Sequence, residues 1–83
     1  MYEVKVYITL KESVLDPQGQ AVLHALHEMN YNKVKNVRMG KYIQLWIDPD
    51  NNEDIEKMVK EICDKLLVND VIEVYTFEIN KIN

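Results

Sequence analysis

Four features of this sequence carry side chains that do chemistry elsewhere. His24 and His27 stand three apart, a spacing that brings two imidazoles near one face of a helix and could begin a metal site. A structural zinc site needs four ligands, however, and Cys63 is the only thiol in the chain. The two histidines therefore read as helix-surface residues. Cys63 lies inside an apolar stripe, whereas a reactive thiol needs an accessible, electropositive setting, so it reads as a small packed residue. Gly40-Lys41 invites comparison with a phosphate loop. It lacks the other glycine and the Ser or Thr of that motif, and it opens a strand instead of a helix. Asp16-Pro17 opens a helix whose free N–H groups suit an anion, but the Asp16 carboxylate would itself fill that place. No Ser-His-Asp arrangement or paired-acid site is suggested.

The elements that must position these residues follow from periodicity. Tyr2, Val4, Val6, Ile8 and Leu10 alternate with Glu3, Lys5, Tyr7 and Thr9, the pattern of a strand with one face in a core. Asp16 caps a first helix with Pro17 at its first position. Val22, Ala25, Leu26 and Met29 form its stripe, and Asn30-Tyr31-Asn32 ends it. Val34 to Ile47 is extended and interrupted by Gly40. In one reading Met39-Gly40-Lys41 turns a hairpin between two strands. In the other a single long strand bends at Gly40, which suits the shared parity of Val37, Met39, Ile43, Leu45 and Ile47. The hairpin is the first choice here and the single strand its alternative. Ile55, Met58, Val59, Ile62, Cys63, Leu66 and Leu67 form the stripe of a second helix. Val71 to Ile79 is a last strand, rich in β-branched and aromatic residues. The predicted fold is α+β, a ferredoxin-like βα(ββ)αβ order with two helices on one face of an antiparallel sheet.

The chain's 83 residues make one small domain, residues 1–83, with a thin core that oligomerisation would support. Its net charge is -4, and the ten Lys and Arg are scattered, which argues against a nucleic-acid partner. One cysteine allows no internal disulfide and fits a reducing compartment. The first residues do not read as a signal peptide, and no apolar run approaches the ~18 residues of a membrane span. A cytoplasmic protein without membrane contact is expected.

With Ile8, Leu45 and Phe77 facing the helices, the opposite sheet face carries Tyr7, Thr9, Tyr42, Gln44, Trp46, Ile72, Val74 and Thr76. That much aromatic and β-branched surface predicts burial in a symmetric oligomer, with Trp46 as its anchor.

Two segments carry a resemblance. Val14-Leu15-Asp16-Pro17-Gln18-Gly19-Gln20-Ala21 follows a strand ending Ile8-Thr9-Leu10-Lys11, and Val37-Arg38-Met39-Gly40-Lys41 follows the first helix. In combination, and over essentially the whole chain, they resemble the PurS family, the small subunit of phosphoribosylformylglycinamidine synthase in purine biosynthesis. The resemblance implies a non-catalytic subunit. It would bridge a glutaminase subunit, which releases ammonia, and a large synthetase subunit, which uses ATP and Mg to activate the amide that ammonia attacks. It implies no cofactor on this chain, support for ammonia transfer between the partners, and self-association as dimer or tetramer. The matching positions Asp16, Pro17, Gly19, Arg38, Gly40 and Lys41 become the expected partner-contact residues. Tyr7, Tyr42, Gln44, Trp46, Ile72 and Val74 are the expected oligomer interface.

Other classes fit less well. An acylphosphatase-like enzyme needs an early arginine in a phosphate-cradling loop, but Arg38 is the only arginine and Lys11 to Leu15 is not glycine-rich. Tyr7, Tyr42 and Trp46 could stack bases in an RNA-binding module, which the negative charge disfavours. The general alternative is a small ferredoxin-like regulatory or ligand-binding domain.

Overall fold

The alternation of the first residues becomes strand β1, Tyr2–Leu10, in a computed structural model that describes residues 1–82. Val4, Val6 and Ile8 are fully buried, while Tyr7 and Thr9 face outward. β1 is the centre of a three-stranded antiparallel sheet between β2, Gly40–Ile47, and β3, Glu73–Lys81. The register sets Val6 opposite Ile43 and Phe77, and Tyr7 opposite Tyr42 and Thr76. Because side chains alternate with period two, every inward residue of β1 meets an inward residue on both neighbours.

Helix α2, Ile55–Ile62, covers the inward face. Asp54 caps it by accepting the Glu56 and Lys57 N–H groups at 3.1 and 3.3 Å. Val59 and Cys63 pack on Val4, Val6 and Ile8, and Val68 completes this core. Each large apolar side chain buried here contributes about 2 kcal/mol. At Cys63–Leu67 the helix widens into a π turn, with the Val68 N–H donating to the Cys63 carbonyl. The extra residue shifts the stripe. Leu66, which α-helical spacing sets beside Ile62, is turned out to 80% exposure, while Val68 turns in.

Two details differ from the sequence expectation. The stretch between the helices supplies one strand, not two. Gly40 does not turn the chain: no glycine has positive φ, and Gly40 pairs with Thr9 as an ordinary strand residue. β2 therefore begins at Gly40, and residues 33–39 carry no strand pairing. The second detail is helix α1, Pro17–Glu28, of which only Gly19 is buried. The molecule is 54 Å long and 14 Å thin. A nine-residue strand of about 30 Å and a twelve-residue helix of about 18 Å, end to end, account for that length. α1 thus extends beyond the sheet, and α2 alone covers the inward face. Asn30, at φ 72°, ends the helix and reverses the chain. The return segment runs back beside α1, with the Val34 carbonyl 2.8 Å from His27 Nε2. Residues 16–39 form an arm.

Candidate functional site at the root of the arm

The arm is fastened to the sheet by residues of the two sequence motifs. Asp16 is 5% exposed. Its Oδ1 accepts the Gly19 N–H at 3.0 Å, which caps α1, and its Oδ2 accepts the Met39 N–H at 2.9 Å. One carboxylate therefore ties the start of the arm to its end. These two N–H donors hold the Asp16 carboxyl below its ordinary value, with help from the Arg38 charge against the opposing effect of burial. Pro17 occupies the first helical position, where no donor is missed. Gly19 is needed for close approach. A Cβ there would lie 2.4 Å from the Val37 carbonyl oxygen and 2.5 Å from Asp16 Oδ2. Arg38 donates from Nη2 to the carbonyls of Leu10 and Lys11, where β1 ends. Gly40 admits β2 against β1, since a Cβ would meet the Ile8 carbonyl oxygen at 2.4 Å.

Lys41 leads into a feature the sequence did not signal. Its Nζ lies 3.1 Å from Glu73 Oε2. Glu73 Oε1 accepts the Asn69 N–H at 2.8 Å. Together these hold the Glu73 carboxyl below its ordinary value, the Asn69 N–H having the larger effect. Lys41 and Glu73 are 32 positions apart, and only the β2-β1-β3 order brings them together. Between them and Asp16 opens a cleft of about 220 Å³, floored by Ile8 and Leu10 and rimmed by Gln18 and Met39. All six motif residues thus gather at one end of the sheet. Asp16, Gly19 and Arg38 are engaged with backbone groups. The Lys41 side chain, paired with Glu73, is 59% exposed.

The remaining candidates stand apart. His24 pairs with Glu28 at 3.0 Å on the exposed side of α1. Among the described residues no three His, Cys, Asp or Glu side chains gather to hold a metal ion. Cys63 is fully buried, and burial, with the nearby Asp64 charge, raises its thiol pKa. The outward sheet face carries Tyr7, Tyr42, Gln44, Trp46 and Val74 as expected, with Tyr42 and Trp46 more than half exposed. Tyr7 and Tyr42 stack at 5.3 Å. Ile72 lies just before β3, its carbonyl accepting the Lys11 N–H. Trp46 is separated from the tyrosines by the row Gln44, Lys5 and Glu78, and lies opposite Glu3. The aromatic surface is therefore two patches divided by a polar row.

Comparison with known proteins agrees with this geometry. The family model PurS, phosphoribosylformylglycinamidine (FGAM) synthase, matches residues 3–81. The chain belongs to the PurS family. The PurS subunit of that synthase from Bacillus subtilis is 57% identical over 82 residues, covering 99% of this chain and 96% of the relative. A solved PurS structure from Bacillus subtilis superposes with a TM-score of 0.88 at 58% identity, covering 98% of this chain and all of that one. A chain in the structure of PurLQS from Thermotoga maritima superposes with a TM-score of 0.83 at 32% identity, covering 93% and 94%. These solved PurS chains thus share the fold seen here over nearly its whole length. No described helix is long and apolar enough to cross a membrane.

Proposed function

We propose that this chain is the small, non-catalytic subunit of phosphoribosylformylglycinamidine synthase, which bridges the synthetase and glutaminase subunits and supports ammonia transfer between them. The observation that carries this reading is the whole-length likeness to a chain of a PurLQS structure, together with 57% identity to a named subunit of the synthase. The chemistry of the chain agrees. Its titratable motif residues are spent on backbone clasps and one ion pair, which suits a rigid presentation surface. Docking occurs at the arm root, where Lys41 and the cleft beside it are open to solvent. Interface charge of this kind sets orientation more than affinity. ATP and Mg belong to the large subunit, and this chain carries no cofactor. The complex is cytoplasmic. Self-association uses the outward sheet face, with Trp46 as anchor and the Tyr7–Tyr42 stack as a second patch.

Reconstitution tests the reading. Synthetase and glutaminase, purified separately, are assayed for glutamine-dependent amidine formation with and without this chain. Stimulation and co-elution are expected. Activity unchanged by its addition, with no co-elution, would overturn the assignment.

A further inference from the structure

Where β1 ends, the outward side of the sheet holds a second cleft. Thr9 and Val74 lie opposite each other in the register and are both exposed on this side. Lys41 lies opposite the inward residue Ile8, so the sheet separates this cleft from the Lys41–Glu73 pair. Its volume is about 330 Å³, and it is lined by Thr9, Leu10, Lys11, Glu12, Arg38 and Val74. Small-molecule sites begin at about 300 Å³.

Arg38 is held in place here without being neutralised. Its Nη2 donates to the backbone carbonyls of Leu10 and Lys11, which uses both hydrogens of that nitrogen. The donors on Nε and Nη1 have no partner among the described residues. Among those residues neither Arg38 nor Lys11 has a carboxylate at ion-pair distance. Neutral carbonyls leave the guanidinium its full charge, and the fixed side chain has less conformational entropy to lose when a ligand binds. Lys11 is half-buried beside it, and only its backbone carbonyl enters the clasp, so its ammonium group is uncommitted. Two cations, one of them preset, therefore line one cleft together with the Thr9 hydroxyl.

The charges select the ligand. One cation balances a carboxylate. A phosphate monoester carries about -1.5 to -2 at pH 7 and has three acceptor oxygens, which suits two cations and a hydroxyl. Glu12 narrows the class further. Its carboxylate on the rim repels a bare anion but favours one whose carrier presents hydroxyl groups, as acidic side chains do for ribose in dinucleotide-binding folds. Leu10 and Val74 supply apolar contact for a carbon skeleton. We propose that this cleft binds a sugar phosphate. Arg38, Lys11 and Thr9 take the phosphate, and Glu12 accepts from a hydroxyl of the sugar. The site does not rest on the subunit assignment above. Of the residues given to self-association it shares only Val74, at the end of the sheet away from Trp46.

The test uses the isolated chain, so its failure is read separately from reconstitution. Amide NMR shifts of the ¹⁵N-labelled chain are followed against ribose 5-phosphate, inorganic phosphate and ribose. Saturable shifts are expected at Thr9 to Glu12, Arg38 and Val74. They should saturate at lower concentration with ribose 5-phosphate than with inorganic phosphate, and be absent with ribose. Lys11→Gln should weaken ribose 5-phosphate about tenfold, as for loss of one charged hydrogen bond. Its fold should be unchanged, because the clasp uses the Lys11 carbonyl and not its side chain. Glu12→Gln should bring inorganic phosphate level with ribose 5-phosphate. Both variants spare Arg38, whose loss would loosen the arm root as well as the site. Three outcomes overturn the proposal. One is the absence of saturable shifts at these amides, or shifts scattered over distant lysines. Another is a preference for ribose 5-phosphate that survives both variants. The last is a response of the same amides to the synthetase but to no phosphate, which would give the two cations to a carboxylate of that partner.

Discussion

The carboxylate of Asp16 accepts the backbone N–H of Met39 at 2.9 Å across 23 positions of sequence, while its other oxygen caps α1 through Gly19. A helix cap and a tertiary clasp are thus one functional group. Its charged form is the one that both donors favour, so its pKa is lower folded than unfolded. Such a group contributes stability above its unfolded value, near 3.8, which is lost as the pH falls through its folded value. Asp16→Asn should therefore melt several degrees below the wild type at neutral pH, with the difference shrinking below about pH 4. Thermal melts at a series of pH values check this. A difference that stays constant into the acid range would show that the charge is not the cause.

Gly19→Ala should disturb the same clasp by sterics alone. The new methyl would lie 2.4 Å from the backbone oxygen of Val37, a contact that flexible side-chain movement cannot relieve. The return segment must shift. Faster hydrogen exchange at the Met39 amide and a lowered melting temperature are expected at every pH, unlike the pH-dependent loss in Asp16→Asn. An unchanged Met39 exchange rate would mean that the arm has slack at its root.

How much of this was legible beforehand depended on the range of the interaction. The β1 alternation, the Asp16 cap and the stripe through Val59 and Cys63 are local patterns, and the fold carries them. The outward face followed from parity alone, so Tyr7, Tyr42 and Trp46 stand where period two places them. The Lys41–Glu73 pair was hidden, because it needs the strand order. The direction of α1 was hidden too. Its apolar stripe calls for a covering surface but cannot say whether that surface belongs to the same chain. Leu66 was misplaced because a π turn changes the helical phase without any local signature in residue type.

Cys63 should be inert in the native state. It is fully buried, and burial pushes its thiol pKa up, which lowers the reactive thiolate population. Reaction with an aromatic disulfide reagent should proceed only as fast as α2 opens. Labelling in denaturant should be immediate and stoichiometric. Native labelling at the rate of a free thiol would place Cys63 at a mobile, accessible part of α2.

Lys41→Ala separates docking from folding in a way that Asp16 variants cannot. The Lys41–Glu73 pair is more than half exposed on the lysine side. Such pairs contribute less than about 1 kcal/mol to stability, and Glu73 keeps its bond from the Asn69 N–H. The melting temperature should move little. Association with the synthetase and glutaminase should weaken, with the loss mainly in the on-rate and reduced by added salt, as for interface charge generally. Surface-based binding kinetics at two ionic strengths read both. Equal kinetics for the variant and the wild type would remove Lys41 from the docking surface.

Trp46→Glu addresses the outward face independently of the arm. Trp46 is 57% exposed and lies opposite Glu3, on the side of the sheet away from α2, so the substitution leaves the core of Val4, Val6, Ile8 and Val59 untouched. Folding should survive. A second carboxylate beside Glu3 would repel an approaching copy and remove the large ring that such an interface needs. If the face joins copies, the variant should lose one level of assembly in sedimentation velocity. An assembly size identical to the wild type would leave the Tyr7–Tyr42 stack and Trp46 as tolerated surface residues.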